Sequence, residues 1–323
     1  MQRSAKPRMH PRRHRLADAA LTSSLRMATA LGGVYGARIG GWISERVPPS
    51  IYPDGERLVT RRGLRWRLDP EDQLQRAMWY SGTHEEPIIR TITRSLRKDD
   101  VFLDVGANIG LISLAAAQRL RALGGGRVVA FEPGRDAFAK LIAHVEMNGL
   151  QQFVDPVNLA LGAERTDLAL RRDLRSEAAN LATRSLFASG EPVEVVHVVT
   201  CDEWVRERGV ERVDVVKIDV EGAEFDVISG MRDTLSMLRP RIVVAEVIPD
   251  LLERAGTSVA QVFDLVRSLG YETYWLRARY WAISKGIRRV SPRVAPGPNA
   301  VFVPVDRAAA RPASDALDAS RRP

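Results

Sequence analysis

Three short strings in this 323-residue chain carry residue types that can do chemistry. The first is Asp104-Val105-Gly106-Ala107-Asn108-Ile109-Gly110. A glycine turn preceded by an acid, with a second glycine opening a helix, lets bare backbone approach a ligand closely. Unpaired N–H groups at a helix start favour an anion such as a carboxylate. Asp104 can accept a charge-assisted hydrogen bond from an ammonium group. The second is Glu132, just beyond the next apolar run, where an acid can accept hydrogen bonds from both hydroxyls of a ribose. The third is Lys217-Ile218-Asp219-Val220-Glu221-Gly222-Ala223-Glu224. Asp219 or Glu221 can take a proton from a hydroxyl, a step in which a positioned base is worth roughly 10²–10⁴-fold in rate, or can steer a cation. Glu224 reads as a helix-start carboxylate complementing the dipole. The same acids could instead hold a divalent ion through oxygen ligands, but three acids alone do not define a metal site, and no metal ligand is assigned.

Position gives these strings their meaning. From Val101 onward, short β-branched runs alternate with helical patterns, the rhythm of a mostly parallel, doubly wound α/β sheet. Strands are expected at Val101–Val105, Arg127–Phe131, Val154–Leu159, Val213–Ile218, Arg241–Val247, Tyr271–Leu276 and Ala300–Val305, with Val193–Thr200 as an added or edge strand. Helices are expected over Ile109–Leu120, around Phe138–Val145 until Asn148-Gly149 stops it, over Phe225–Leu238, and from a capping box at Ser258/Gln261 to Gly270. In such sheets ligands bind beyond the carboxyl ends of the strands, which is where Asp104–Gly110, Glu132, Asp219–Glu224 and Glu246 fall. The Gly-x-x-x-Gly spacing with an acid two residues ahead differs from the Gly-x-Gly-x-x-Gly of dinucleotide binders. It favours S-adenosylmethionine over NAD, with a nicotinamide-dependent oxidoreductase and a non-catalytic binding protein as the rival readings.

Composition narrows the classes further. The net charge of +8 is concentrated in residues 1–62, with 12 Lys/Arg against 4 Asp/Glu, while residues 63–305 are close to neutral. A nucleic-acid enzyme carries its basic stripe on the folded domain, so no nucleic acid is expected. Residues 1–16 read as a disordered basic head, 17–74 as an N-terminal extension, 75–305 as the catalytic domain and 306–323 as a disordered tail. The extension is expected to be helical over about 17–46 and to form a hairpin over Arg57–Leu68 turning at Arg62-Gly63, followed by a helix at Ile88–Leu96. Met27–Ile43 reads as a short surface or packing helix, with weak membrane-surface contact as the alternative, and no span suits a transmembrane helix. A single cysteine, Cys201, excludes an internal disulfide and suits a reducing cytoplasm. Of the five histidines, His84 is the one with a catalytic option against an exposed-loop reading. His144 is expected to be exposed and His197 structural. The loop Arg277–Pro298, rich in arginine with Trp281 and Tyr280, either covers an acceptor or is a surface loop. No His-Glu-x-x-His, Gly-x-Ser-x-Gly or Walker pattern occurs, against protease, hydrolase and nucleotidase readings.

The strings Trp79-Tyr80-Ser81-Gly82, Glu86-Pro87, Asp104 to Gly110, Ala130-Phe131-Glu132-Pro133, Asn148-Gly149, Ala160-Leu161, Lys217 to Glu224 and Ala245-Glu246 resemble the FkbM-type methyltransferases over roughly residues 75–305. The likeness implies a class I, Rossmann-like, seven-stranded fold whose last strand runs antiparallel, with S-adenosylmethionine as cofactor. It implies that Asp104, Gly106, Ala107, Asn108 and Gly110 cradle the methionine part, that Glu132 holds the ribose, and that Asp219 and Glu221 line the reaction centre. The implied reaction is O-methylation of a sugar-containing or secondary-metabolite small molecule, with N-methylation the nearest rival. Thr200-Cys201-Asp202-Glu203 departs from the family pattern, which more often has Leu before the Asp. A small buried thiol absorbs that change.

Overall fold

In the computed structural model, residues 55–81, 85–172, 184–276, 288–289 and 298–308 are described. Expectations for the basic head, the 17–46 helix, His84, residues 277–287 and the tail beyond 308 lie outside them. Two units are distinguished, one N-terminal and one containing the large sheet.

In the N-terminal unit, β1 (Arg57–Arg61) and β2 (Leu64–Leu68) pair antiparallel around Arg62 and Gly63. Both turn residues have positive φ (54° and 73°), which matches the twist of a two-residue hairpin. On β2, Leu64, Trp66 and Leu68 are buried and Arg65 and Arg67 exposed, the period-two pattern of a half-covered strand. Helix α1 (Gln73–Ser81) follows. Its signal was Asp72, whose carboxylate accepts from the Gln75 amide at 3.0 Å, an N-cap that sequence reading passed over.

The second unit opens with α2 (Glu86–Ser95) and β3 (Val101–Val105), then α3 (Leu111–Leu123), β4 (Arg127–Phe131), α4 (Arg135–Met147) and β5 (Val154–Val157). Beyond β5 come β6 (Ala160–Leu161), β7 (Thr166–Arg172), β8 (Arg184–Ser185), β9 (Pro192–Val199), α5 (Cys201–Glu207), β10 (Val215–Ile218) and α6 (Glu224–Ser229). The chain ends its described course with β11 (Ile242–Glu246), α7 (Pro249–Arg254), α8 (Val259–Ser268), β12 (Tyr271–Trp275), β13 (Arg288–Arg289), β14 (Asn299–Pro304) and α9 (Val305–Ala308). The main sheet has the order β13-β12-β14-β11-β10-β3-β4-β5. Strands β3, β4, β5, β10 and β11 pair in parallel, and β14 inserts antiparallel between β11 and β12. The two-residue β13 is an addition to the seven expected strands. All residues of β3 and β10 are buried, as expected for strands with helices over both faces. Edge-to-face rings brace the core, Phe131 on Trp204 at 5.0 Å and Phe263 on Trp275 at 5.3 Å. Among the described residues no helix is long and apolar enough to cross a membrane.

Two of the expected elements need correction. The strand over Val193–Thr200 is not an edge of the main sheet: β9 lies inside a second sheet of order β6-β9-β7-β8. Its exposed and buried residues alternate toward the C-terminal half, the pattern of a sheet with one solvated face. Its partner β7 (TDLALRR) is too polar to stand out as a strand. The single helix expected over Phe225–Leu238 is broken at Gly230, where α6 ends and a π-helical turn, Thr234–Leu238, follows. A Cβ on Gly230 would sit 1.9 Å from the carbonyl oxygen of Gly162. Two backbones meet there, and the helix yields to that contact. Asp202 secures the second segment by accepting from the amide and hydroxyl of Thr234 at 2.8 and 2.6 Å.

Candidate active site at the carboxyl ends of the strands

The glycine turn is built from both neighbouring strands. The amides of Gly106 and Ala107 both donate to the carbonyl of Phe131, at 3.0 and 2.9 Å, tying the exit of β3 to the exit of β4. The Asp219 amide donates to Val105 O at 3.1 Å, tying the exit of β10 to the same turn. Gly106 has φ +79°, and a Cβ there would lie 1.8 Å from the carbonyl oxygen of Asp219. Only glycine lets the turn and the acidic loop touch backbone to backbone. Asn108 is left-handed at φ 51°, and its carboxamide oxygen accepts from the Ile109 amide at 2.8 Å. Gly110 starts α3 without a side-chain cap, and the first-turn amides of a helix are donors that an anion can take.

Glu132 follows β4 directly. One carboxylate oxygen accepts from the Asn108 amide and the other from the Gly134 amide, both at 2.8 Å. Each oxygen keeps a second lone pair, and together they can take two vicinal hydroxyls. Burial pushes this carboxyl up to about 7, against the lowering influence of the two amides and of Lys217. Asp104 is fully buried. One of its oxygens accepts from the Ser113 hydroxyl at 2.5 Å. The other lies 3.4 Å from the Lys217 ammonium and has no hydrogen bond. The chemistry of that leftover acceptor, the uncapped helix start and the Glu132 carboxylate fits the ammonium, carboxylate and diol of S-adenosylmethionine.

On the acidic loop, Asp219, Glu221 and Glu246 bring carboxylate oxygens within 4.8 Å of one another, all partly exposed. Glu221 adopts φ 56°, and its carbonyl accepts from the Ser185 hydroxyl of β8 at 2.8 Å. Glu224 opens α6, as its helix-start reading has it, and is buried. One of its oxygens accepts from the amides of Val220 and Gly222 at 3.2 and 3.3 Å, so it supports the loop from beneath. Burial first, and the charge of Asp219 in addition, push its carboxyl up to about 7. The sequence places Glu246 at a ligand-binding strand end without a chemical role, and it assigns nothing to Lys217, Ser113 or Ser185. Lys217 and Glu246 stood inside quoted strings, whereas Ser113 and Ser185 had no signal apart from Ser113 falling on the first turn of the helix after the glycine loop.

The histidines and the cysteine separate by environment. His144, expected to be exposed, is fully buried with Nδ1 2.9 Å from Ile109 O. It lies three residues from buried Leu141 on the same helix face and braces the glycine turn from below. His197 is exposed and paired with Asp167 at 2.6 Å. Cys201 is buried, and burial pushes its thiol up to about 12, the state of an inert apolar side chain. It begins α5 behind a complete capping box of Thr200 and Glu203. A cleft of about 660 Å³ near Trp204, Arg165 and His197 shares no residue with Asp104, Glu132 or the acidic loop.

The parallel strands and the antiparallel β14 between β11 and β12, with the glycine turn and the acidic loop at the strand exits, are those of a class I methyltransferase fold. Residues 104–273 match the methyltransferase FkbM domain, and the chain belongs to that family, whose cofactor is S-adenosylmethionine. It is similar to the hexuronic acid methyltransferase AglP of Haloferax volcanii, 29% identical over 159 residues, covering 49% of this chain and 61% of that one. The chain thus spans less than two thirds of AglP. It is also similar to the 31-O-demethyl-FK506 methyltransferase FkbM of Streptomyces tacrolimicus (32% over 202 residues, covering 54% and 74%). A third relative is the 2-O-methyltransferase NoeI of Sinorhizobium fredii (28% over 194 residues, covering 55% and 76%).

Proposed function

We propose that this protein methylates a hydroxyl of a sugar-containing or secondary-metabolite small molecule. The observation that carries the reading is the group of three carboxylates, Asp219, Glu221 and Glu246, set against the glycine turn through the backbone contact at Gly106. S-adenosylmethionine supplies a methyl group already activated on a sulfonium. Asp104, the start of α3 and Glu132 bind and orient the nucleoside, with Gly106, Ala107, Asn108 and Gly110 forming the cradle. With the cofactor bound, Asp219 or Glu221 would accept the proton of the acceptor hydroxyl as its oxygen receives the methyl group, and the nucleoside would leave as the neutral thioether. A hydroxyl gains most from such a base because it is a weak nucleophile until its proton leaves. Alignment of oxygen, carbon and sulfur supplies the rest of the acceleration. The names of the relatives, a hexuronic acid methyltransferase and a 2-O-methyltransferase among them, support an oxygen acceptor on a sugar.

The test is incubation of the full chain with methyl-labelled S-adenosylmethionine and a panel of uronic-acid glycosides and glycosylated metabolites, followed by mass spectrometry. The expected product carries the label on a sugar oxygen. Label on nitrogen, or cofactor binding with no transfer to any hydroxyl of the panel, would overturn the proposal.

A further inference from the structure

Among the described residues, Lys217 is the one buried cation that touches both halves of this site. It is 3% exposed, in the third position of β10, with its ammonium turned toward the exit of β3. It donates to Gly106 O at 2.7 Å and lies 3.4 Å from Val105 O. It also lies 3.4 Å from Asp104 Oδ1 and 3.4 Å from Asp219 Oδ2. Taking an ammonium out of water is costly unless anions and acceptors surround it, and here two carboxylates and two carbonyls do so. Those four groups belong to the two elements that must keep a fixed spacing: the turn that cradles the cofactor and the loop that carries the base.

We propose that Lys217 is the positioning residue of the cofactor site, one ammonium latching the Gly106 carbonyl to Asp104 and Asp219 and setting the shape and the net charge of the pocket. The inference rests on the reading that Asp104–Gly110 holds the cofactor. The Ser113 hydroxyl completes Asp104 from the α3 side, and the Lys217 charge also reaches Glu132 across β3. Lys217 stands at the same 3.4 Å from Asp104 and from Asp219 and offsets part of the negative charge of the pair. A sulfonium is thereby admitted without an excess of negative charge that would hold it back from reaction. Removing the charge makes the pocket more negative, which favours the cationic S-adenosylmethionine over the uncharged thioether of S-adenosylhomocysteine. Removing the donor frees the Gly106 carbonyl, which weakens both.

Calorimetric titration of both nucleosides into the full chain and into Lys217→Arg, Lys217→Gln and Lys217→Met separates these effects. Lys217→Gln keeps a donor and drops the charge. It should raise the preference for S-adenosylmethionine over S-adenosylhomocysteine by about fivefold or more. Lys217→Met should show the same change of preference with a further loss of at least about tenfold in both affinities. Lys217→Arg should retain the wild-type ratio. A purely structural lysine would move both affinities together, so an unchanged ratio in folded Gln and Met variants would overturn the inference. If neither variant folds, wild-type protein labelled with ¹⁵N-lysine decides, the buried Lys217 signal being told from the other lysines by its slow exchange. A protonated, slowly exchanging Nζ signal that shifts more with S-adenosylmethionine than with S-adenosylhomocysteine is expected. Fast exchange of every lysine signal, or a slow one indifferent to both, refutes the latch. If wild type binds neither nucleoside, the cofactor reading itself fails, which is a distinct result.

Discussion

Glu132 offers the sharpest perturbation because its surroundings set opposing demands. Its two oxygens already hold the Asn108 and Gly134 amides at 2.8 Å, and burial lifts its carboxyl to about 7 from the usual 4.5. A ribose diol is held best by the carboxylate, since hydrogen bonds to a charged acceptor are worth roughly 1.5–3 kcal/mol each. Below pH 7 the free protein must release a proton from Glu132 before the diol is held. Affinity should therefore fall about tenfold for each pH unit below 7 and level off above it. Glu132→Gln keeps the shape, removes the charge and turns an NH₂ toward one of the two backbone amides. The loss of two charge-assisted bonds, about 3 kcal/mol or more, corresponds to a cofactor Kd at least about 100-fold weaker, with the pH dependence between 6 and 8 abolished. Calorimetry with S-adenosylhomocysteine across that range reads both quantities. A wild-type affinity that is flat from pH 6 to 8, or a Gln variant within threefold of wild type, would show that the Glu132 carboxylate does not hold the diol.

Other outcomes follow from the same geometry. Asp219→Asn or Glu221→Gln, whichever removes the base, should lower single-turnover methyl transfer by roughly 10²–10⁴-fold while leaving S-adenosylhomocysteine bound within about tenfold; wild-type rates in both variants would exclude a carboxylate base at either position. Arg241 is mostly buried and bridges Asp100, which is 1% exposed, to Asp214. Arg241→Met should cost about 3 kcal/mol in urea denaturation, and a loss below 1 kcal/mol would place the pair among surface ion pairs. Glu132 and Glu224 both have carboxyls raised to about 7 by burial. The folded state then binds more protons than the unfolded between 4.5 and 7, and the stability this gives is complete below 4.5 and lost as pH rises through 7. The cofactor-free protein should lose about 3 kcal/mol per group over that interval, and Glu224→Gln should roughly halve the slope in thermal melts.

The chemistry-bearing strings were legible because a strand exit, a glycine turn and an acid are all local. Asp104–Gly110, Glu132 and Asp219–Glu224 fall at the ends of β3, β4 and β10 as their apolar runs require. Cap signals were equally local: Ser258 does accept from the Gln261 amide. What escaped depends on contacts between distant segments. The latch of Lys217 on Gly106 spans 111 positions, and in the sequence Lys217 is one polar residue in a strand that otherwise reads as core. Gly230 breaks a well-patterned helix because Gly162 approaches it from elsewhere in the chain. The second sheet was hidden because β7 pairs with β9 while its own composition is polar. His144 was misjudged because its buried partner, the Ile109 carbonyl, belongs to the turn and not to its own helix.

The decisive experiment is a crystal structure of the full chain with S-adenosylhomocysteine. Ribose hydroxyls are expected on Glu132, the amino-acid carboxylate at the start of α3 and the thioether sulfur facing Asp219. A nucleoside bound at any other strand end, or a glycine turn closed against it in crystals grown at saturating ligand, would show that the cofactor site lies elsewhere.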